Sequence, residues 1–127
     1  MDFKINIITE NIEISSLIKK TFAKENYVFY CTECKDSNCS EEINKLDIVP
    51  DCIIIDRDIN IECITRVIKQ HNNLNIILLP TLDESETKNN KKFENVIEIS
   101  EPFRLAELGD ELNKIYLKKK SETIIKN

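Results

Sequence analysis

Glycine and proline, the usual punctuation of loops, are nearly missing: Gly109 is the only glycine, and Pro50, Pro80 and Pro102 are the only prolines. Turn composition therefore marks few boundaries, and hydrophobic periodicity has to locate the elements. No apolar stretch approaches the ~20 residues of a membrane span. The opening run MDFKINIITENIE meets acids too early for a signal peptide. Both absences point to a cytoplasmic protein with no membrane partner. A clustered basic face is also lacking. The formal net charge is -5, and nucleic-acid phosphates need concentrated positive charge, so DNA or RNA binding is not expected. The one basic run, Lys118 to Lys120, reads as a solvated helix end, with 121–127 as a frayed tail or the start of a linker. Five cysteines, an odd number, cannot all pair within one chain, and thiols are the default in a reducing compartment.

What the sequence does contain suits one folded domain. At 127 residues, with 41% hydrophobic and 32% charged, the chain can bury roughly two thirds of its unfolded surface. FKINII (Phe3 to Ile8) is a short β-branched run fit for a strand covered on both faces. Ile14, Leu17, Ile18 and Phe22 then fall at helical spacing, with Asn11 as the cap. NYVFYCT returns to strand character, and 40–46 reads as a short helix with Ile43 and Leu46 turned inward. DCIIID is the third and most apolar strand, expected near the middle of the sheet. A helix follows over 61–71 with Ile61, Ile64 and Ile68 as its stripe, then the strand LNIILL. The polar stretch 83–94 can hold only a weakly anchored helix. NVIEIS is a fifth strand, and Leu105, Leu108, Leu112, Ile115 and Tyr116 line a last helix into which Gly109 fits awkwardly.

Strand and helix alternating in this way predict an α/β, doubly wound five-stranded parallel sheet with helices on both faces. In such sheets the functional crevice lies beyond the carboxyl ends of the strands. The residues to interrogate are therefore Thr9 and Glu10, Asp56 to Asp58, Pro80 and Thr81, and Ser100 to Pro102. Asp56 ends the third strand, either as a reactive carboxylate at the lip of the core or as a simple strand terminus and turn cap.

Acids after the first strand, PDCIIID on the third, and EPF followed by AEL after the fifth make the chain resemble the receiver domain of bacterial two-component response regulators. The likeness runs over 1–120 and implies the flavodoxin-like strand order 2-1-3-4-5. It places Asp56 at the position that takes a phosphoryl group from a histidine kinase.

A carboxylate that accepts a phosphoryl group must approach an anion, which calls for a divalent cation and positive groups around the three transferred oxygens. Receivers supply two acids after the first strand, a hydroxyl at the end of the fourth and a lysine before the proline of the fifth. This chain keeps part of that set. The resemblance implies a Mg2+ site from Glu10, Asp56 and the carbonyl of Asp58, weakened because Thr9 stands where the second acid belongs. Pro80 takes the place of the hydroxyl, and Thr81 supplies one only if the register shifts by a residue. Glu101 stands at the lysine position, an anion exchanged for a cation. Turned inward it would join Glu10 and Asp56, raise carboxylate pKa values and repel a phosphate dianion. Glu98 falls where the family often has its switch aromatic. Arg57, Arg66 and Arg104 are the arginines available as a displaced cation, none at the family's spacing.

CTECKDSNC brings Cys31, Cys34 and Cys39 within nine residues, and C-x2-C is a spacing that suits zinc or a redox pair. A closed zinc site needs four ligands. No second such pair exists, and the lone His71 lies beyond the third strand. The plainer reading makes Cys31 a strand residue, Cys34 and Cys39 loop thiols, and Cys52 and Cys63 small core residues.

The expectation from sequence is a receiver-like signalling domain with a divergent site, not an enzyme, acting through protein contact. The alternatives are a working phosphoacceptor on Asp56 with Mg2+, and a cysteine-based metal or redox module. The resemblance implies a sensor histidine kinase or another signalling protein as partner, and self-association through the fourth helix, fifth strand and fifth helix, with Tyr116 and Leu117 as contact residues.

Overall fold

The computed structural model describes residues 2–9, 11–24, 26–33, 49–56, 61–70, 74–80, 96–99 and 104–125. The expected helices over 40–46 and 83–94 lie outside them. The described strands are β1 (Phe3–Thr9), β2 (Tyr27–Glu33), β3 (Cys52–Asp56), β4 (Asn75–Leu79) and β5 (Ile97–Glu98), and the described helices are α1 (Ile12–Thr21), α2 (Ile61–Gln70) and α3 (Leu105–Ile125). The strands form one sheet in the order β2-β1-β3-β4-β5, and every pairing in it is parallel. This is the expected doubly wound order, with β3 in the centre.

Strand periodicity sorts the core into two layers. Phe3, Ile5 and Ile7 of β1, Cys52 and Ile54 of β3 and Ile77 of β4 pack with Ile18 of α1 and Leu108, Leu112 and Ile115 of α3. On the other face Ile8, Ile53, Ile55, Ile76 and Leu78 pack with Ile64 and Val67 of α2. All five residues of β3 are buried, which is what a strand covered on both sides demands and why its sequence reads as a continuous apolar run.

Asn11 caps α1, as its sequence position suggests: its side chain accepts from the amide of Glu13 at 2.9 Å. The buried stripe of α1 departs from expectation at one residue. Leu17 is 43% exposed, whereas Ser15 is buried. At ~100° per residue, Ile14, Ile18, Ser15 and Phe22 span one sector and Leu17 lies on its flank. In α2 the stripe is Ile64 and Val67, with Ile68 half-buried.

Gly109 in the middle of α3 has a packing reason. A Cβ there would lie 2.7 Å from Cε1 of Phe22, at the C-terminal cap of α1. The missing side chain lets the two helices of this layer approach. The last helix continues to Ile125.

The lower end of the sheet is tied to α3 by a polar clamp. Oδ2 of Asp51 accepts from the backbone amide of Lys4 at 2.8 Å and from Nζ of Lys119 at 2.6 Å. The same ammonium donates to the carbonyl of Asp2 at 2.8 Å. Above it, the ring of Tyr116 meets Phe3 and Tyr27 at centroid separations of 5.6 Å each, and its hydroxyl accepts from Nδ2 of Asn26. Tyr116, half-buried, thus packs its ring into this aromatic cluster. Leu117 beside it is 52% exposed.

Candidate functional site

Parallel pairing of β1 with β3 brings their carboxyl ends together. Ile8 is opposite Ile55, so Thr9 and Asp56 follow side by side. The alternation that turns Ile7 and Ile54 toward the α1 and α3 layer turns these two the same way. Asp56 is 2% exposed and Thr9 is 4% exposed. The carboxylate therefore lies at the lip of the core and not out in solvent.

Thr9 does more than leave a gap where an acid is expected. Its Oγ1 donates to Oδ2 of Asp56 at 3.0 Å, and the backbone amide of Asn11 donates to that same Oγ1 at 3.0 Å. A hydroxyl has one proton to give and two lone pairs to receive with, and both bonds use it as the chemistry allows. Bonds to a charged acceptor are the stronger class, and a low local dielectric strengthens them further. Sequence reading registers Thr9 only as a lost carboxylate. The signal that would have found its role is the pairing of β1 with β3, which sets position 9 next to position 56.

This arrangement bears on a divalent cation. Mg2+ is usually held by one or two carboxylates and several waters; among the described residues the ends of β1 and β3 offer the carboxylate of Asp56 and the neutral hydroxyl of Thr9, which already donates to it. Among the described residues no group of three or more His, Cys, Asp or Glu is placed to hold a metal. Glu10, Asp58, Thr81 and Glu101, expected around Asp56, lie outside the described residues, as do Arg57 and His71.

At the end of β4, Leu79 pairs with Asp56, and Pro80 follows, buried. A proline has neither a hydroxyl nor an amide hydrogen to donate there. Glu98 is exposed on β5. Arg66 and Arg104 are both exposed. The described residues of β4 and β5, NIILL and IE, carry neither a hydroxyl nor an aromatic side chain.

Beside Thr9 a cleft of about 200 Å3 opens between α1 and β2, lined by Thr9, Ile12, Ser15, Lys19, Cys31 and Thr32 among others. Under it Thr32 donates to Oδ1 of Asn6 at 3.1 Å, both side chains buried. Nδ2 of Asn6 is buried without a hydrogen-bond partner among the described residues. Cys31 is exposed and Cys52 buried, both as free thiols. Cys34 and Cys39, and the side chain of Cys63, lie outside the described residues. Burial, and secondarily the charge of Asp51, pushes the Cys52 thiol far above its ordinary value. It behaves as a core residue, as expected.

No protein-family model matches the chain, and no curated protein matches it. Solved structures do. The response regulator TrrA from Thermotoga maritima, in complex with Mg2+ and BeF, superposes with a TM-score of 0.62 at 21% identity over 91% of this chain and 99% of that one. The N-terminal domain of the nisin resistance regulator NsrR, a lantibiotic response regulator, gives 0.62 at 22% identity over 91% and 98%. TrrA in complex with the histidine kinase ThkA gives 0.61 at 20% identity over 91% and 98%. With its all-parallel sheet in the order β2-β1-β3-β4-β5, the chain has the fold of a response-regulator receiver domain.

Proposed function

We propose that the chain is a receiver-like signalling module of a two-component phosphorelay, divergent at its phosphoacceptor site, that works through protein contact and not as an enzyme. The observation that carries the reading is the bond from Thr9 to Asp56. The strand end where receivers gather negative charge for a cation presents a hydroxyl, and that hydroxyl already engages one oxygen of the carboxylate. Pro80 and Glu98 stand where the usual hydroxyl and aromatic readout would be. A histidine kinase is the natural class of partner, since TrrA is seen with one. For self-association the candidate is the face of the fourth helix expected over 83–94, the fifth strand and the last helix, on which Leu117 is exposed.

A second reading is favoured by the seat of Asp56 itself. The carboxylate ends the central strand at the carboxyl edge of the sheet, and Glu10, next after β1, and the carbonyl of Asp58, two residues past β3, are what would join it at Mg2+. When bound, the cation would neutralise charge on the phosphoryl oxygens. The chain's own part is the attack of a carboxylate oxygen of Asp56 on phosphorus, while the bond from phosphorus to the donor's leaving atom breaks and its electron pair stays with that atom: the imidazole nitrogen of a phosphohistidine, or the bridging oxygen of acetyl phosphate.

The two readings separate on incubation with acetyl phosphate and Mg2+ followed by intact mass measurement. Under the first, the mass is unchanged. A phosphoryl mass gained by the native chain and lost in Asp56→Asn would establish the second. Cysteine chemistry is a third class, tested by elemental analysis for zinc and by mass mapping for a disulfide between Cys31 and Cys34.

A further inference from the structure

We propose that Thr9 is the positioning residue for Asp56 and carries the state of that carboxylate to the first turn of α1. The inference rests on Asp56 being the functional centre of the crevice, but not on its accepting a phosphoryl group.

Three hydrogen bonds run in series from β3 to α1. Thr9 donates to Asp56 at 3.0 Å. The amide of Asn11 donates to Thr9 at 3.0 Å. The side chain of Asn11 accepts from the amide of Glu13 at 2.9 Å, while its carbonyl takes the amide of Ile14 at 3.2 Å. The middle bond depends on the first. A threonine hydroxyl whose proton is committed to a carboxylate presents its lone pairs in a fixed direction, and the Asn11 amide uses one of them. Reduce the negative charge on Asp56, by substitution or by covalent modification, and the proton has less reason to point there. The hydroxyl then turns, and the amide at the cap of α1 loses its geometry.

Two further observations favour this route over the one on the far side of the sheet. Pro80, buried beside Asp56 at the end of β4, has no donor with which to respond. The first turn of α1, by contrast, has room. The cleft lined by Thr9, Ile12 and Ser15 opens against it, and Ile12 is 60% exposed. A change at Asp56 thus reaches an exposed helix end through a series of hydrogen bonds.

The test is amide NMR on the full chain, comparing native protein with Asp56→Asn, in the Thr9 background and in Thr9→Val. With Thr9 present, Asp56→Asn should shift the amides of Asn11 and Glu13. With Thr9→Val those shifts should fall by at least about half, the signature of coupling between neighbouring sites. Thr9→Ser, which keeps the hydroxyl, should restore them; a residue that only fills space would not be rescued in this way. Thr9→Ala serves the same comparison if valine disturbs the strand end. Shifts of equal size whatever stands at position 9, or none at Asn11 and Glu13, would overturn the proposal. No phosphodonor is used, so a chain that never gains a phosphoryl group is judged on this point independently.

Discussion

The hydroxyl of Thr9 reaches 3.0 Å across the seam between β1 and β3 to donate to Oδ2 of Asp56. The pair is buried at the carboxyl edge of the sheet, where the doubly wound topology collects its functional residues. A donor of this kind stabilises an ionised carboxylate without adding charge. It holds one oxygen of the Asp56 carboxylate in place.

The clamp at the other end of the sheet should matter unequally for its two members. Asp51 accepts from Lys4 and Lys119 together. Removing it leaves a half-buried backbone amide without its partner. Asp51→Ala should cost about 1–3 kcal/mol, and Asp51→Asn less, since an amide oxygen still accepts from Lys4. The side chains of Lys119 and Asp51 are 29% and 25% exposed, so Lys119→Met should cost under about 1 kcal/mol, less still at high salt. Urea unfolding of the three variants checks the ranking.

Gly109→Ala should destabilise the chain although it improves helix propensity by up to ~1 kcal/mol. The added methyl meets the Phe22 ring at 2.7 Å, and overpacking of this kind costs roughly 1–3 kcal/mol. In a Phe22→Leu background the obstruction is gone and the same substitution should become stabilising. Thermal melts of the four combinations decide it; a stabilising Gly109→Ala in the native background would contradict the packing.

Cys52 should make the fold sensitive to alkali. Its folded-state pKa is raised by burial and secondarily by Asp51, while in the unfolded chain the thiol ionises near its ordinary value of about 8.5. Below that pH its contribution to stability is fully present. Above it the unfolded state releases a proton that the folded state keeps, and stability falls by up to ~1.4 kcal/mol per pH unit from this group. Tyr27, raised by burial and then by Tyr116 and Cys52, adds to the loss above pH ~10. Unfolding at pH 8 and pH 10 should show a smaller difference in Cys52→Ala than in the native chain.

The sheet was legible in the sequence because a strand covered on both faces must be apolar throughout. CIIID and NIILL could be read directly, their alternation with helical spacing gave a parallel doubly wound sheet, and the strand order followed from the resemblance to receivers. Leu17 was misread because a stripe defined by spacing leaves its centre open by a residue, and the sheet chose Ser15. Gly109 looked like a flaw in a helix until Phe22 stood opposite it. The bond between Asp51 and Lys119 joins residues 68 positions apart, and nothing local marks either as a partner of the other. At the site, Asp56 was visible as an acid ending an apolar run. Thr9 was visible only as a missing acid, because a hydroxyl's part is set by the neighbour that topology brings to it.

The most direct test is a double-mutant cycle between Thr9 and Asp56, read by chemical unfolding. If the hydroxyl holds the carboxylate, Thr9→Val should cost about 1.5–3 kcal/mol in the native chain, the range for a hydrogen bond to a charged group. In an Asp56→Ala background it should cost less than about 0.5 kcal/mol beyond the change in packing. Equal costs in both backgrounds would show that the two side chains do not interact, and the account of the site would fail.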